Sequence, residues 1–529
     1  MRPNPIPTIK LAPTFPAVTF PAVAATHPLL LGQTRLLSAF DTQAALPKQG
    51  LYIADFASIA RRLLVRTLAD YQQQSYQFLY GRISRAQLFG SATQESPLTA
   101  PGLLFIDIEA LLTRPNLWEA LLDAMLHDGF TQQQQWHTLK ARIVLIGHSG
   151  YYSELLQAER CFQALFPLYG EVNDEIDAEP HLDNYVSWLQ ALAHEVDATL
   201  AQSALLPLLR YSCELSDHQQ RLSLASQPFL QLLTEAAAIA NGSAIAAEHI
   251  QQARQQRRQR HNAQEQLSAQ NVDDAFIHLP TSGETIGQIC GLTVIDSGDY
   301  MYGEPARITA SVHYGDGEVA DIERKSELGG NIHAKGMMIL SSCLYRIFGR
   351  DAPLHLSANI VFEQSYQEID GDSASLAEYC CLISAITEQP INQGIAITGA
   401  LDQFGNVQAI GGVNEKIEGF FNLCARRGLT GEQGVIIPRS NVQQLNLPDA
   451  IVSAVAEGKF HLFEISHVDD AMELLMNRET GKADEADNFP EDSLYGLVQL
   501  RLDGLAGNND EDISPWFTRL LRKLKLVRY

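Results

Sequence analysis

Two short words constrain this chain more than anything else in it: Asp370-Gly371-Asp372-Ser373-Ala374-Ser375, and Gly411-Gly412-Val413-Asn414-Glu415-Lys416, with Lys416 falling 43 positions after Ser373. The small residues Gly371 and Ala374 leave room for a substrate backbone against the Ser373 hydroxyl. The run Ala374 to Ile386 carries apolar residues at helical spacing, so Ser373 is predicted to open a helix. Unpaired N–H groups and the positive end of the helix dipole at that point favour a developing oxyanion.

A serine hydroxyl is a weak nucleophile until a base takes its proton, and no nearby histidine offers an obvious Ser-His-Asp arrangement. Lysine can be that base if burial keeps it neutral. Lys416 follows the apolar, glycine-broken run Ala409 to Val413 and precedes Ile417, which suits it to burial. Between the two words, Ile395-Ala396-Ile397-Thr398-Gly399 reads as a strand ending in a threonine whose hydroxyl could orient the amine. Taken singly, each word also has a plain structural explanation, as a turn before a helix cap or as a solvated loop. Their order, their spacing and Thr398 between them favour a serine–lysine pair.

These words, together with Glu327-Leu328-Gly329-Gly330-Asn331-Ile332-His333 and Glu363-Gln364-Ser365-Tyr366, resemble the proteolytic domain of the Lon protease family. The resemblance covers roughly Ile286 to Leu475, and is nearest the branch with Gly-Asp-Ser-Ala-Ser in place of Gly-Pro-Ser-Ala-Gly. It implies Ser373 as nucleophile, Lys416 as general base and Thr398 as a lysine-orienting group. It also implies unfolded protein segments as substrates, a homo-oligomeric hexameric ring, and use of ATP. Asp372 could pair with Lys416 and hold it protonated in an off state. His333 and His355 show no metal-ligand spacing and are not expected to do chemistry directly; no metal site is expected.

Length and charge frame the rest. A chain of 529 residues, 46% hydrophobic, is too long for one ordinary core. Its formal charge of −24, from 38 basic and 62 acidic residues, argues against a nucleic-acid surface. The seven cysteines, at 161, 213, 290, 343, 380, 381 and 424, form no Cys-x-x-Cys word and read as reduced core residues. No run of 18 apolar residues predicts a membrane span, and prolines 13, 16 and 21 interrupt the only apolar stretch that could pass for a secretory signal.

Upstream, Gly50 to Ala54 reads as a strand, Asp55 to Ser58 as a turn and Ala60 to Tyr71 as a helix. That is the setting of a phosphate-binding loop, but Asp55-Phe56-Ala57-Ser58-Ile59-Ala60-Arg61 has neither the glycines nor the lysine that hold phosphates. Gly102 to Asp107 resembles the Walker B strand of AAA+ modules, with Ile108 replacing the second acid and Glu109 expected on the other side of the strand. Ala141 to His148 occupies the sensor strand, and no second-sensor arginine stands in Ser226 to Leu230.

The fold class expected is therefore α/β: a degenerate AAA+-like α/β module with a helical lid, followed by a Lon-type α/β proteolytic domain. The predicted parts are a proline-rich extended or disordered arm at 1–28, the module lacking a P-loop at 29–200, and a lid with a basic linker helix at 201–270. The proteolytic domain follows at 284–477, then an acidic tail with a terminal helix, Trp516 to Val527, at 478–529. The reading is a cytoplasmic serine endopeptidase working on unfolded or damaged proteins, probing neither membrane nor nucleic acid, with no cofactor. ATP enters by family analogy only. Two alternatives stand beside it: a pseudo-AAA+ scaffold or adaptor that binds protein clients, and an ATP-dependent Lon protease with an atypical nucleotide site.

Overall fold

A computed structural model describes residues 5–22, 25–298, 300–315, 317–349, 354–365, 368–485 and 488–505. Tyr366 and the expected helix Trp516 to Val527 lie outside the described residues. The chain divides into two compact units, residues 15–257 and residues 1–14 with 258–529.

The first unit is built on five strands: β1 (Leu51–Asp55), β2 (Tyr76–Leu79), β3 (Gly102–Asp107), β4 (Ala141–His148) and β5 (Leu168–Glu171). They run parallel in the order β2-β3-β4-β1-β5. Alternate residues of β1 enter different cores, Tyr52 and Ala54 on one face, Leu51 and Ile53 on the other, so helices cover both sides. Helix α1 (Arg61–Tyr71) starts just beyond the carboxyl end of β1. A separate helical layer, Ala178–Glu195, Leu205–Leu215 and Ser226–Ala240, closes around Tyr185, Trp188 and Phe229. Ala178–Glu195 buries its apolar stripe in the same core.

Seven strands form the sheet of the second unit: β6 (Gln288–Asp296), β7 (Met301–Tyr314), β8 (Val319–Asp321), β9 (Leu356–Glu363), β10 (Ile395–Ile397), β11 (Gly434–Pro438) and β12 (His461–Ile465). Their order is β8-β9-β7-β6-β10-β11-β12, antiparallel across β9-β7-β6 and parallel elsewhere. Residues alternate between two cores along β10, Ile395 and Ile397 facing one and Ala396 the other. Helices α2 (Asn331–Phe348) and α3 (Ser375–Thr387) pack on the first face, and α4 (Val413–Arg427) packs on the second. The serine word and the lysine word thus belong to helices on opposite faces, and both start beside the end of β10.

The proline-rich segment, expected as an extended or disordered arm, is held at its start. Ile6 donates its N–H to the Leu462 carbonyl, Leu11 is fully buried and its carbonyl accepts from Leu447, so residues 5–12 are anchored by apolar side chains that the prolines separate. The basic linker forms two helices, Ala247–His261 and Ala263–Asp273. None of the described helices is long and apolar enough to cross a membrane.

Close backbone contact sets the position of α4. A Cβ on Gly303 of β7 would stand 2.0 Å from the Glu415 carbonyl oxygen and 2.8 Å from Lys416 Cα, and one on Gly419 would stand 2.2 Å from the Gly303 oxygen. Only glycine permits so close an approach. Gly303→Ala is therefore expected to lower stability by about 1–3 kcal/mol, the usual cost of overpacking, read from the midpoint of denaturant unfolding. An unchanged midpoint would mean that α4 shifts freely on the sheet.

Candidate active site

Lys416 lies in the first turn of α4, its side chain turned back toward the end of β10, and is only 3% exposed. Its Nζ donates to Ser373 Oγ at 2.9 Å and to Thr398 Oγ1 at 3.3 Å. Burial pushes the amine down from 10.5 to about 8, against the opposing charges of Asp372 and Glu415. The positive end of the α4 dipole acts in the same direction as burial, since it disfavours an ammonium in the first turn.

Three hydrogen bonds fix the serine backbone to the sheet. Ser373 contributes its carbonyl to the Gly399 N–H at 2.9 Å and to the Thr398 hydroxyl at 3.2 Å, while Leu376 N–H donates to the Gly399 carbonyl at 3.2 Å. Thr398, fully buried just past β10, therefore touches both words: it donates to one and accepts from the other. A side chain on Gly399 would meet Leu376 at 2.7 Å, which is why the residue after Thr398 is glycine.

Ser373 stands two residues before α3 and not at its first position. Ser375 takes the helix start, its hydroxyl donating to the Asp372 carbonyl and accepting from Leu401 N–H. The N–H groups of Ser375 and Leu376 are occupied, by Asp372 and Gly399, whereas those of Ser373 and Ala374 donate to no group among the described residues. The loop before the serine turns at Gly371, whose φ of +120° suits glycine. Asp372 acts on Lys416 through its charge, and no ion pair within 4 Å joins them among the described residues.

In the first unit the expected nucleotide corner is filled by a side chain. Arg61, the first residue of α1, grips Asp55 with two nitrogens, Nε to Oδ2 at 2.6 Å and Nη2 to Oδ1 at 3.1 Å. It also donates to Asp107 at 3.1 Å and to Glu109 at 3.2 Å. Burial raises the Asp55 carboxyl even though Arg61 opposes it. Glu109 does not point across the strand as the sequence suggested: β3 ends at Asp107, whose Oδ1 caps a short helix, Ile108–Leu112, and the turn brings Glu109 round to Arg61. His148 caps the helix after β4 through Gly150 N–H. The sequence placed an acid at 55 where phosphate would lie but gave no sign that Arg61 would gather three carboxylates, since one comes from the end of β1 and two from the end of β3 and the turn after it.

Comparison with known proteins agrees with this architecture. The profile of the Lon protease (S16) C-terminal proteolytic domain matches residues 346–478, which include Ser373, Thr398 and Lys416. That of the archaeal LonB AAA+ ATPase LID domain matches residues 199–260. A Lon protease homolog of Escherichia coli (strain K12) is 38% identical over 440 residues, 79% of this chain and 73% of that protein. A second, from Haemophilus influenzae, is 36% identical over 79% of this chain and 72% of its own length. An archaeal Lon protease of Archaeoglobus fulgidus is 30% identical over 203 residues, 38% of this chain and 30% of that protein. With more than a third of the residues identical over most of both chains, and the S16 profile lying across the paired serine and lysine, the chain belongs to the Lon protease family.

Proposed function

We propose that this Lon-family peptidase cleaves unfolded protein segments through Ser373 as nucleophile and Lys416 as general base. The observation that carries the reading is the 2.9 Å contact between a buried lysine amine and the serine hydroxyl. Ser373 Oγ attacks the peptide carbonyl as Lys416 takes its proton. The amine then returns that proton to the leaving nitrogen, and water, deprotonated by the same amine, hydrolyses the ester. Thr398 holds the lysine on line, and the N–H groups of Ser373 and Ala374 are the candidate donors to the oxyanion. Asp372 raises the proton affinity of Lys416 and so favours its protonated, resting form.

The same reading makes peptidase activity independent of ATP. In folds of this class, phosphate sits at the carboxyl end of β1 against the N-terminus of the next helix. Here Arg61 supports the opposite reading, because its guanidinium already occupies the corner and engages the carboxylates of Asp55, Asp107 and Glu109 that would otherwise face magnesium. We assign to the first unit the tasks of assembling a homo-oligomeric ring and admitting substrate.

Three measurements follow from this reading. Lys416→Arg should abolish casein hydrolysis as completely as Ser373→Ala, because a guanidinium stays protonated at any working pH; turnover by either variant at the parent rate would refute the dyad. Calorimetry with ATP and magnesium should give no binding heat, phosphate release should stay at background and casein hydrolysis should not respond; micromolar binding with steady turnover would restore the ATP-dependent alternative. Arg61→Met leaves the buried Asp55 carboxylate uncompensated and should cost about 3–5 kcal/mol of first-unit stability. Adding Asp55→Asn should recover most of that loss in equilibrium unfolding, and no recovery would mean that Arg61 acts by packing alone.

A further inference from the structure

Under the serine helix lies a group of titratable side chains that the mechanism above does not use. His333, in the first turn of α2, is 1% exposed, and Asp321, Glu323 and Glu378 around it are 8%, 3% and 1% exposed. His333 Nε2 stands 3.2 Å from Asp321 Oδ2 and 3.8 Å from Glu378 Oε1, and its ring meets Phe362 edge-on. The contact with Asp321 is close but lies off the line of a hydrogen bond, and it becomes an ion pair when the imidazole is protonated. Glu323 accepts from Phe362 N–H in β9, and Asp321 Oδ1 accepts from Glu323 N–H. Glu378 belongs to α3, five residues after the nucleophile.

Burying four ionisable groups is expensive unless they are paired and hydrogen-bonded to one another. The first turn of α2 connects them to the serine. Asp370 Oδ1, three residues before Ser373, accepts from the N–H groups of Ile332, His333 and Gly371 at 3.0, 3.2 and 3.0 Å. Gly330 makes room for that carboxylate, since a Cβ there would lie 2.4 Å from Asp370 Oδ1. Gly330 N–H also donates to the Ile369 carbonyl, and Ile369 N–H to that of Leu328. The backbone N–H of His333 therefore holds the serine loop from upstream, while its ring holds the serine helix from below through Glu378.

We propose that His333 is a positioning residue for Ser373, clamping the loop 370–372 and helix α3 in one register so that the hydroxyl stays on Lys416. Burial alone would lower the His333 proton affinity, but Asp321 and Glu378 raise it on balance, and burial pushes Glu378 up to about 7. These directions fit an imidazolium shared between two acids, which packing alone would not require. The inference rests on the dyad reading.

The test uses the full-length protein with casein, and compares His333→Gln, Asp370→Asn and the double variant. His333→Gln should lower kcat about 10- to 100-fold, the loss expected from an ångström-scale misplacement, with KM and oligomer size unchanged and the loss present at temperatures well below the variant's own melting temperature, which falls because the buried carboxyls of Asp321 and Glu378 lose their partner. Because both residues act through one clamp, the double variant should be no slower than the slower single variant. A parent-like kcat in His333→Gln, multiplied losses in the double variant, or a kcat loss that follows the melting temperature would each overturn the proposal. Should His333→Gln fail to fold, Glu378→Gln decides in its place, with the same expected loss in kcat and parent-like kcat overturning it. Ser373→Ala separates the two levels: activity in that variant means that the dyad reading has failed, whereas an inactive Ser373→Ala beside a fully active His333→Gln means that only the clamp has.

Discussion

An amine held out of water against a hydroxyl is the interaction on which the second unit is organised. Lys416 is 3% exposed and its proton affinity falls from 10.5 to about 8, which corresponds to about 3 kcal/mol at 1.4 kcal/mol per pH unit. The sign follows from linkage. A lysine whose folded pKa lies below its unfolded one costs stability while protonated, and that cost is relieved as pH rises from about 8 to 10.5. The fold carries this expense through apolar packing around the first turn of α4, where Val413 and Ile417 are buried and Gly303 brings β7 against the helix. The proposed mechanism needs this buried arrangement, since an exposed lysine would remain protonated at neutral pH and could not take the serine proton.

Topology explains why the two words can be so far apart. One helix on each face of the sheet starts beside the end of β10, and Thr398 bridges them. Carboxyl ends of strands are where α/β sheets place ligands generally. The first unit meets charge at a strand end in the opposite way: Arg61 engages Asp55, Asp107 and Glu109 at once, so its corner is filled by an internal cation where the Lys416 corner holds an amine against a hydroxyl.

Much of this was readable from residues alone. The helix after Ser373 and the strand leading up to Thr398 follow from periodicity, although the helix begins two residues later than the sequence suggested, and the order and spacing of the serine and lysine words indicated the pairing. Less accessible were features made by contacts distant in sequence. The run His461–Ile465 completes the sheet edge through β11, and Ile6 and Leu11 pack under it although the proline-rich stretch around them lacks periodicity. Asp321, His333 and Glu378 have no common period, and each looks like an ordinary surface residue until the fold buries it. Glu109 was misdirected because alternation along a strand was assumed past Asp107, where a side-chain cap had already turned the chain into a helix.

The state of the Lys416 amine carries the whole account, and it can be titrated directly. With lysine labelled at Nζ with 15N and Lys416→Arg used to assign the resonance, NMR of the Ser373→Ala protein between roughly pH 6 and 11 follows one proton. A midpoint near 8 is expected, well below the ordinary lysine value of 10.5. A midpoint at the ordinary lysine value of 10.5 would mean that the amine is not neutral when needed and that some other group removes the serine proton.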